Sequence, residues 1–578
     1  MQKLNIVFKI TYLLSLSFTM ELAAQSISTG TPVLEDFYRR EQLMGKINPN
    51  FSFVSYPLFP EEAFGRNNPF YPDSSFLTSA LKKNDGTFSL NKRKIIFRLL
   101  PVAWTQQYNS HHPEGINDGA MIPARGYQTM ISAGFSIKYD HLSIKIQPEF
   151  VYAANKEYDG FPLTRENPEL AHLRWYQYYN YYLNYIDAPE QFGKSAYNKT
   201  LIGQSSIRLT IDAISLGLST ENLWWGPGMR NSLLMTNSAP GFTHFTLNTV
   251  KPIETPIGSF EGQIIAGWLK SSGYYPPEHE RNYNGSAPFF MYKLDDTRYI
   301  NGMVISYHPK WISGLHLGMI RSFQVYHSQK GSKFLDYLPI FSSFSKKAAG
   351  DEAKLNAKRR DVYNSVFFRF VWPQSNVEIY GELARSNYFW DSRDLIIQAE
   401  HSTAYNLGFR KLFLLNTRKK ESIQIHLELT QLAMNANTIQ RNGQSMYTSQ
   451  VVKDGYTNRG QFLGAGIGPG SNLQTLNISW IRSLKKIGLS FERYAHNEDF
   501  FFYAVKDIRA HWVDISSSLI GNWDYKKLLF VLELKGILSK NYQWVYDPPL
   551  TFDTDKDWWK PGVDTRNFHG KLSIIYRF

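Results

Sequence analysis

The last eight residues, KLSIIYRF (Lys571–Phe578), decide how the rest of the chain is read. Leu572, Ile574, Tyr576 and Phe578 fall on one side of an extended chain, and Ser573, Ile575 and Arg577 on the other, because successive side chains of a strand point to opposite faces. A terminal aromatic on such a strand is the assembly signal of Gram-negative outer-membrane barrels. A soluble β-protein can also end on a strand, so the reading depends on whether the pattern recurs.

It recurs throughout. Ile131, Ala133, Phe135, Ile137 and Tyr139 share a face opposite Ser132, Gly134, Ser136 and Lys138; Asp140-His141 turns the chain, and Leu142, Ile144 and Ile146 resume. Ile207, Leu209 and Ile211 turn at Asp212-Ala213 into Ile214, Leu216 and Leu218, and Ile423, Ile425, Leu427 and Leu429 face away from Gln424, His426 and Glu428. Leu528, Phe530, Leu532 and Leu534 form a further strand. Short turns near 140–141, 212–213, 255–258, 308–312, 373–375, 416–420, 483–486 and 521–526 alternate with long connections such as 154–199, 270–298 and 433–473. Counting between them predicts about eighteen strands, an even number with short turns in the periplasm and long loops outside. No repeat of roughly 40–50 residues supports a propeller instead.

Composition agrees. The 578 residues include 15% aromatics, yet mean hydropathy is negative. Strands that alternate apolar-out with polar-in produce this combination without any long apolar run. Near the N-terminus Lys3 and Lys9 precede a short apolar stretch, Ile10–Met20, and the small residues Ala23-Ala24, so residues 1–24 read as a cleaved secretory signal. Residues 25–92 read as an N-terminal periplasmic segment and 93–578 as the barrel. There is no cysteine, which excludes disulfides, thiol nucleophiles and a lipid-anchor cysteine. Formal charge is +13, about +12 without the signal, which suits an anionic partner. In the cell envelope that means acidic polysaccharide or lipopolysaccharide and not nucleic acid; a generally basic surface with no ligand reads equally well.

Two segments read as helical. Thr31-Pro32 caps a helix over Val33–Met44 that stops at Gly45, placed before the barrel and so in the periplasm. Asn167-Pro168 opens a second, Tyr- and Trp-rich helix to about Ile186, within a loop insertion over 166–195 on the extracellular side. Its aromatics could face sugars, but more often such residues pack the lumen.

The most distinctive stretch is ENLWWGPGMRNSLLMTNSAPG, Glu221–Gly241. Trp224 and Trp225 offer flat faces for sugar rings and Arg230 a fork for a carboxylate; equally, both indoles could pack against the barrel wall. YTNRGQFLGAGIGPGSN, Tyr456–Asn472, is glycine-rich but lacks the Gly-Lys-Ser/Thr ending of a phosphate-binding loop, and reads as a folded outer loop entering the barrel. Glu382, Arg385 and His401 lie together in sequence around another loop, although nothing in their spacing demands acid–base work. The basic run Lys346, Lys347, Lys354, Lys358, Arg359 and Arg360 reads as a solvated external loop that could attract acidic polymer. No metal-ligand or nucleophile motif is present, so no cofactor and no enzymatic activity are expected.

At these motifs the chain resembles the capsule-assembly Wzi family of outer-membrane proteins. The resemblance runs through FYRREQLMG (Phe37–Gly45), PARGYQ (Pro123–Gln128), IDAPEQFG (Ile186–Gly193), ENLWWGPG, YGELAR (Tyr380–Arg385) with His401, the 456–472 loop, Glu492-Arg493, HWVD (His511–Asp514) and NYQW (Asn541–Trp544). It implies an eighteen-stranded barrel with a small N-terminal helical element. It also implies a lectin-like role, holding exported capsular or extracellular polysaccharide at the cell surface. Trp224, Trp225, Arg230, Glu382, Arg385 and Asn472 are the candidate polysaccharide-binding residues. The alternative is a porin or sugar channel.

Overall fold

The computed structural model describes residues 32–59, 87–90, 95–161, 168–342, 344, 359–387, 389–416, 421–435, 443–505, 508–545 and 564–578. The proposed signal, most of 60–92, Asn167, and Lys346, Lys347, Lys354 and Lys358 of the basic run lie outside them.

Eighteen antiparallel strands close into one barrel, as the turn spacing predicts. They are β1 (Ile95–Asn109), β2 (Gly126–Tyr139), β3 (Leu142–Ile146 and Glu149–Ala153), β4 (Tyr197–Leu201 and Ser206–Ile211), β5 (Ile214–Ser219) and β6 (His244–Thr249 and Ile253–Thr255). Next come β7 (Gly258–Leu269), β8 (Arg298–Pro309), β9 (Leu315–Tyr326), β10 (Asp361–Trp372), β11 (Val377–Ser386) and β12 (Thr403–Asn416). The last six are β13 (Glu421–Gln431), β14 (Asn472–Arg482), β15 (Lys485–Ala495), β16 (Val513–Tyr525), β17 (Leu528–Lys540) and β18 (Thr565–Tyr576). The C-terminal strand closes the ring against the first, Tyr576 opposite Val102 and His569 opposite Asn109. Prolines mark irregularities in the ladder: the β1–β2 register shifts across Pro101, and β3 and β6 are interrupted at Pro148 and Pro252. Proline has no N–H to give to a neighbouring strand, so pairing breaks there.

The burial pattern is inverted relative to a soluble sheet. On β13 the polar Ser422, Gln424, His426, Glu428 and Thr430 are buried, while Leu427 and Leu429 are exposed. The outer wall is therefore apolar and the lumen polar, as a lipid-embedded barrel requires. Exposed Trp311, Trp372, Trp523 and Tyr525 gird the end that carries the short turns, and Tyr108, Tyr127, Tyr405 and Phe568 the other. The short turns reverse the chain through left-handed residues, among them Asp140, Asp212, Asn376 and Ser483. No helix among the described residues is long and apolar enough to cross a membrane.

The lumen is filled by the chain itself. Helix α1 (Pro32–Leu43) ends where Gly45 adopts a positive φ of 72°, the stop expected from the sequence. It does not hang below the barrel. It lies inside the short-turn end, where its buried polar side chains find partners on the inward wall and on the neighbouring loops. Arg39 and Arg410 both grip Glu378, and Arg369 reaches Glu378 at 2.6 Å and Gln42 at 2.8 Å. Arg410 holds Asp36 at 2.9 Å, and Arg40 donates to the Ser483 carbonyl at 3.0 Å. Burial alone would raise the Asp36 carboxyl, but Arg40, Lys486 and Arg410 outweigh it and hold it below the usual carboxylate range. Leu43 packs with Val371 and Leu412 of the wall.

Candidate functional site

Above α1 the loop between β5 and β6 folds down into the barrel, and wall carboxylates fasten it. Glu428 accepts from three successive backbone N–H groups, those of Met229, Arg230 and Asn231, at 2.7–3.2 Å. Glu382 accepts from the Leu233 N–H and the Ser232 hydroxyl, both at 3.1 Å, and from Ser365 at 2.7 Å. Glu221 pairs with Lys145 at 3.1 Å and Arg208 at 2.8 Å. Gly226 and Gly228 pass so close to Ser232, Glu382 and the Asn231 carbonyl that a Cβ at either position would collide.

The structure thus brings four of the sequence-picked residues into one loop–wall assembly. Trp224 and Trp225 pair as a two-residue strand with Tyr56 and Ser55 of the N-terminal segment. Trp225 is fully buried, donates its indole N–H to Gln263 at 2.8 Å, and lies against Gly302 of β8. Trp224 joins Phe37, Tyr56 and Leu58 in an apolar cluster beside α1. Both indoles face the lumen interior. Arg230 forks onto Glu492, Nε at 2.8 Å and Nη2 at 3.2 Å, and Glu492 also holds Lys535 at 2.7 Å. Glu382 is the fourth.

Arg385 and Asn472 stand apart from this assembly. Along β11, Glu378, Tyr380 and Glu382 face inward, so by alternation Arg385 shares the outward side of Ile379 and Leu383. There the β11–β12 loop covers it, with Asp394 at 3.8 Å and the Gln398 carbonyl at 3.4 Å. Asn472 opens β14 and accepts from the Ala433 N–H at 3.3 Å.

The glycine-rich loop before β14 also enters the barrel. Tyr447 donates to the Leu233 carbonyl at 2.6 Å and accepts from the Ala465 N–H at 2.9 Å; Tyr456 donates to Ser322 at 2.9 Å. Arg298 of β8 braces the same loop through the Gly455 carbonyl at 2.8 Å. One apolar cluster runs through both plugging loops, joining Trp225, Leu233, Met235, Tyr447, Tyr456 and Leu463.

At the long-loop end stands helix α2 (Pro168–Tyr181), continued by a tight turn over Leu183–Tyr185. Trp175, Tyr178 and Tyr179 bury one face with Phe161, Phe500 and Trp544; Phe161 stacks on Tyr178 at 4.1 Å. The opposite face does not pack inward. Leu173, Tyr176 and Asn180 line an open groove of about 590 Å³ whose far wall is Tyr283, Phe289 and Met291 of the β7–β8 loop. In the sequence the aromatics of α2 read as one set. The spacing 173, 176, 180 was the available signal for a second helix face.

Comparison with known proteins places this architecture. No curated protein matches the sequence. Among solved structures the chain is similar to Wzi, an outer-membrane protein involved in group 1 capsule assembly in Escherichia coli, described as a carbohydrate-binding β-barrel. The identity is 13%, the match covers 96% of this chain and 100% of that one, and the TM-score is 0.58. Acinetobacter baumannii OccAB4 (11% identity, 82% of this chain and 97% of that one, TM-score 0.36) and Pseudomonas aeruginosa OpdK (8%, 82% and 97%, 0.38) are more distant barrels. The family model for capsule assembly protein Wzi matches residues 108–531, from the end of β1 into β17. That span takes in both plugging loops and α2, and it exceeds half of the chain: this outer-membrane β-barrel belongs to the capsule assembly protein Wzi family.

Proposed function

We propose that the protein binds exported capsular or extracellular polysaccharide and holds it at the cell surface, without chemistry on the polymer. The observation that carries this reading is the filled lumen. With α1 below, the β5–β6 loop in the middle and the β13–β14 loop above, the barrel offers a surface and not a passage. That surface is built from long loops rich in aromatic and amide groups, which suit the C–H faces and hydroxyls of sugars. The carbohydrate-binding barrel of E. coli Wzi, similar in fold, supports the reading. The formal charge of +13 favours an acidic polymer. In this scheme Trp224, Trp225, Arg230 and Glu382 stiffen the platform from inside, and Arg385 and Asn472 fix the roots of outer loops. Residues 1–24 serve as a cleaved export signal, and the outward apolar band meets outer-membrane lipid and lipopolysaccharide.

The test is deletion of the gene in the bacterium that makes the protein, with polysaccharide measured on cells and in the medium. Cell-bound polymer should fall and released polymer rise, with total output unchanged, and the full chain should restore retention. Equal retention with and without the gene rejects the function.

A further inference from the structure

The groove beside α2 has features that packing alone does not explain. A helix whose aromatic residues all served the plug would bury them on one face. Here Trp175, Tyr178 and Tyr179 do so, while Tyr176 remains 47% exposed in the groove and Tyr283 across from it 52% exposed. The walls are preorganised. Tyr176 meets Phe289 edge-on at 5.5 Å. The Asn184 amide clamps the opposite wall by donating to the Phe289 carbonyl at 3.0 Å and accepting from the Met291 N–H at 2.8 Å. Holding the rings in place before a ligand arrives removes an ordering cost from binding. A volume of about 590 Å³ falls within the range of small-molecule and oligosaccharide sites.

The lining mixes ring faces with polar edges, from Asn180 and Ser286. A lipid chain has no use for the amide and hydroxyl, whereas a pyranose presents C–H faces to rings and hydroxyls to amides. Charge adds a direction. Lys453 of the β13–β14 loop places its Nζ 3.8 Å from Met291 Sδ at the groove edge, and it forms no ion pair among the described residues. On a basic protein this leaves a cation beside an aromatic groove on the outer face.

We propose that this groove seats a segment of the polysaccharide, with sugar rings stacked on Tyr176 and Tyr283 and a uronate or other carboxylate of the polymer facing Lys453. The assignment rests on the proposed function and names its contact site.

The test uses the full-length protein in detergent and fluorescently labelled polysaccharide shed by the producing bacterium, as prepared and after chemical reduction of its carboxyl groups. Parent protein should bind the native polymer, and Tyr176→Ala and Tyr283→Ala should each weaken it by about tenfold or more, the usual scale for losing an aromatic anchor. Heat-modifiable gel migration checks that each variant folds. Because Tyr176 also touches Phe289, Tyr176→Phe is included; it keeps the ring face and that contact and should bind as the parent does. Lys453→Gln should erase the preference for native over carboxyl-reduced polymer. If parent binds and folded Tyr176→Ala and Tyr283→Ala bind equally well, the groove is not the site, while the proposed function stands. If parent does not bind, the function itself fails. A parent indifferent to carboxyl reduction removes the acidic assignment. Purified lipid A that binds the parent, loses binding in both tyrosine variants and leaves polysaccharide binding unchanged would give the groove to a lipid and overturn the proposal.

Discussion

Arg230 shows how a residue chosen for ligand chemistry can act through scaffolding. Its guanidinium is committed to Glu492, its own backbone N–H is held by Glu428, and 22% of its side chain is exposed. Arg230→Ala leaves Glu492 with Lys535 still in contact, so the cost should be about 2 kcal/mol, less than when a buried charge is stranded outright. The expected outcome is a lowered unfolding temperature in heat-modifiability gels together with partial loss of polysaccharide retention. Arg230→Lys, which keeps the charge and loses the fork, should fall between variant and parent. An unchanged unfolding temperature in the alanine variant would show that the fork contributes nothing. Glu428 is the less obvious residue. In the sequence it is one polar position on an alternating strand, and only the fold shows three successive amides converging on it. Its value lies in charge-assisted bonds to a backbone that would otherwise be buried without partners.

Among elements, the β1–β2 loop carries a pH dependence of calculable sign. His112 is buried beside Tyr542, ring centroids 4.8 Å apart, and burial pushes its imidazole down to about 4. In an opened loop the same group would titrate near 6.5. A depressed value means the closed loop is fully stable above about 6.5 and loses stability as the pH falls towards 4, because the open form takes up the proton first. Protection factors of the amides over 110–125, taken relative to intrinsic exchange at each pH, should therefore fall as the pH drops across that window, and His112→Phe should flatten the response; equal acid sensitivity in the variant would assign it to another group. The elements themselves were largely legible in the sequence. Period-two alternation locates the strands, turn length groups their ends into a short-turn rim and a long-loop rim, and Pro32 and Gly45 bound α1. What alternation cannot report is where a loop goes after leaving a strand. The seat of α1 depends on Glu378, Arg369 and Arg410, more than 300 residues away, so nothing local marks it. Likewise the double tryptophan reads equally as a stacking platform or as wall packing, and Gln263 and Gly302, which enclose Trp225, lie far from it in sequence. In α2 the composition was plain, and the division of its aromatics between two faces was not.

For the whole molecule, the natural absence of cysteine makes topology directly testable. A single cysteine at Ser332, exposed in the β9–β10 loop, should react with an impermeant maleimide on intact cells; one at Lys310, exposed in the β8–β9 turn, should react only after the outer membrane is opened. Labelling of Lys310→Cys on intact cells would invert the barrel. In planar bilayers the protein should show little or no open-channel current, since an unfilled barrel of eighteen strands would be a wide aqueous pore. Large stable unitary currents would mean that the plugging loops leave the lumen. Removing α1 alone should not open it, because the β5–β6 and β13–β14 loops are bound to each other and to the wall above. The pairing of Ser55–Tyr56 with Trp224–Trp225 inside that wall has a consequence for biogenesis. The N-terminal segment emerges from the ribosome first, yet its berth is complete only when β11, β12 and β15 exist and the last strand has zipped to the first. Sealing the cylinder and docking its stopper are thus a single late event that the insertion machinery must wait for.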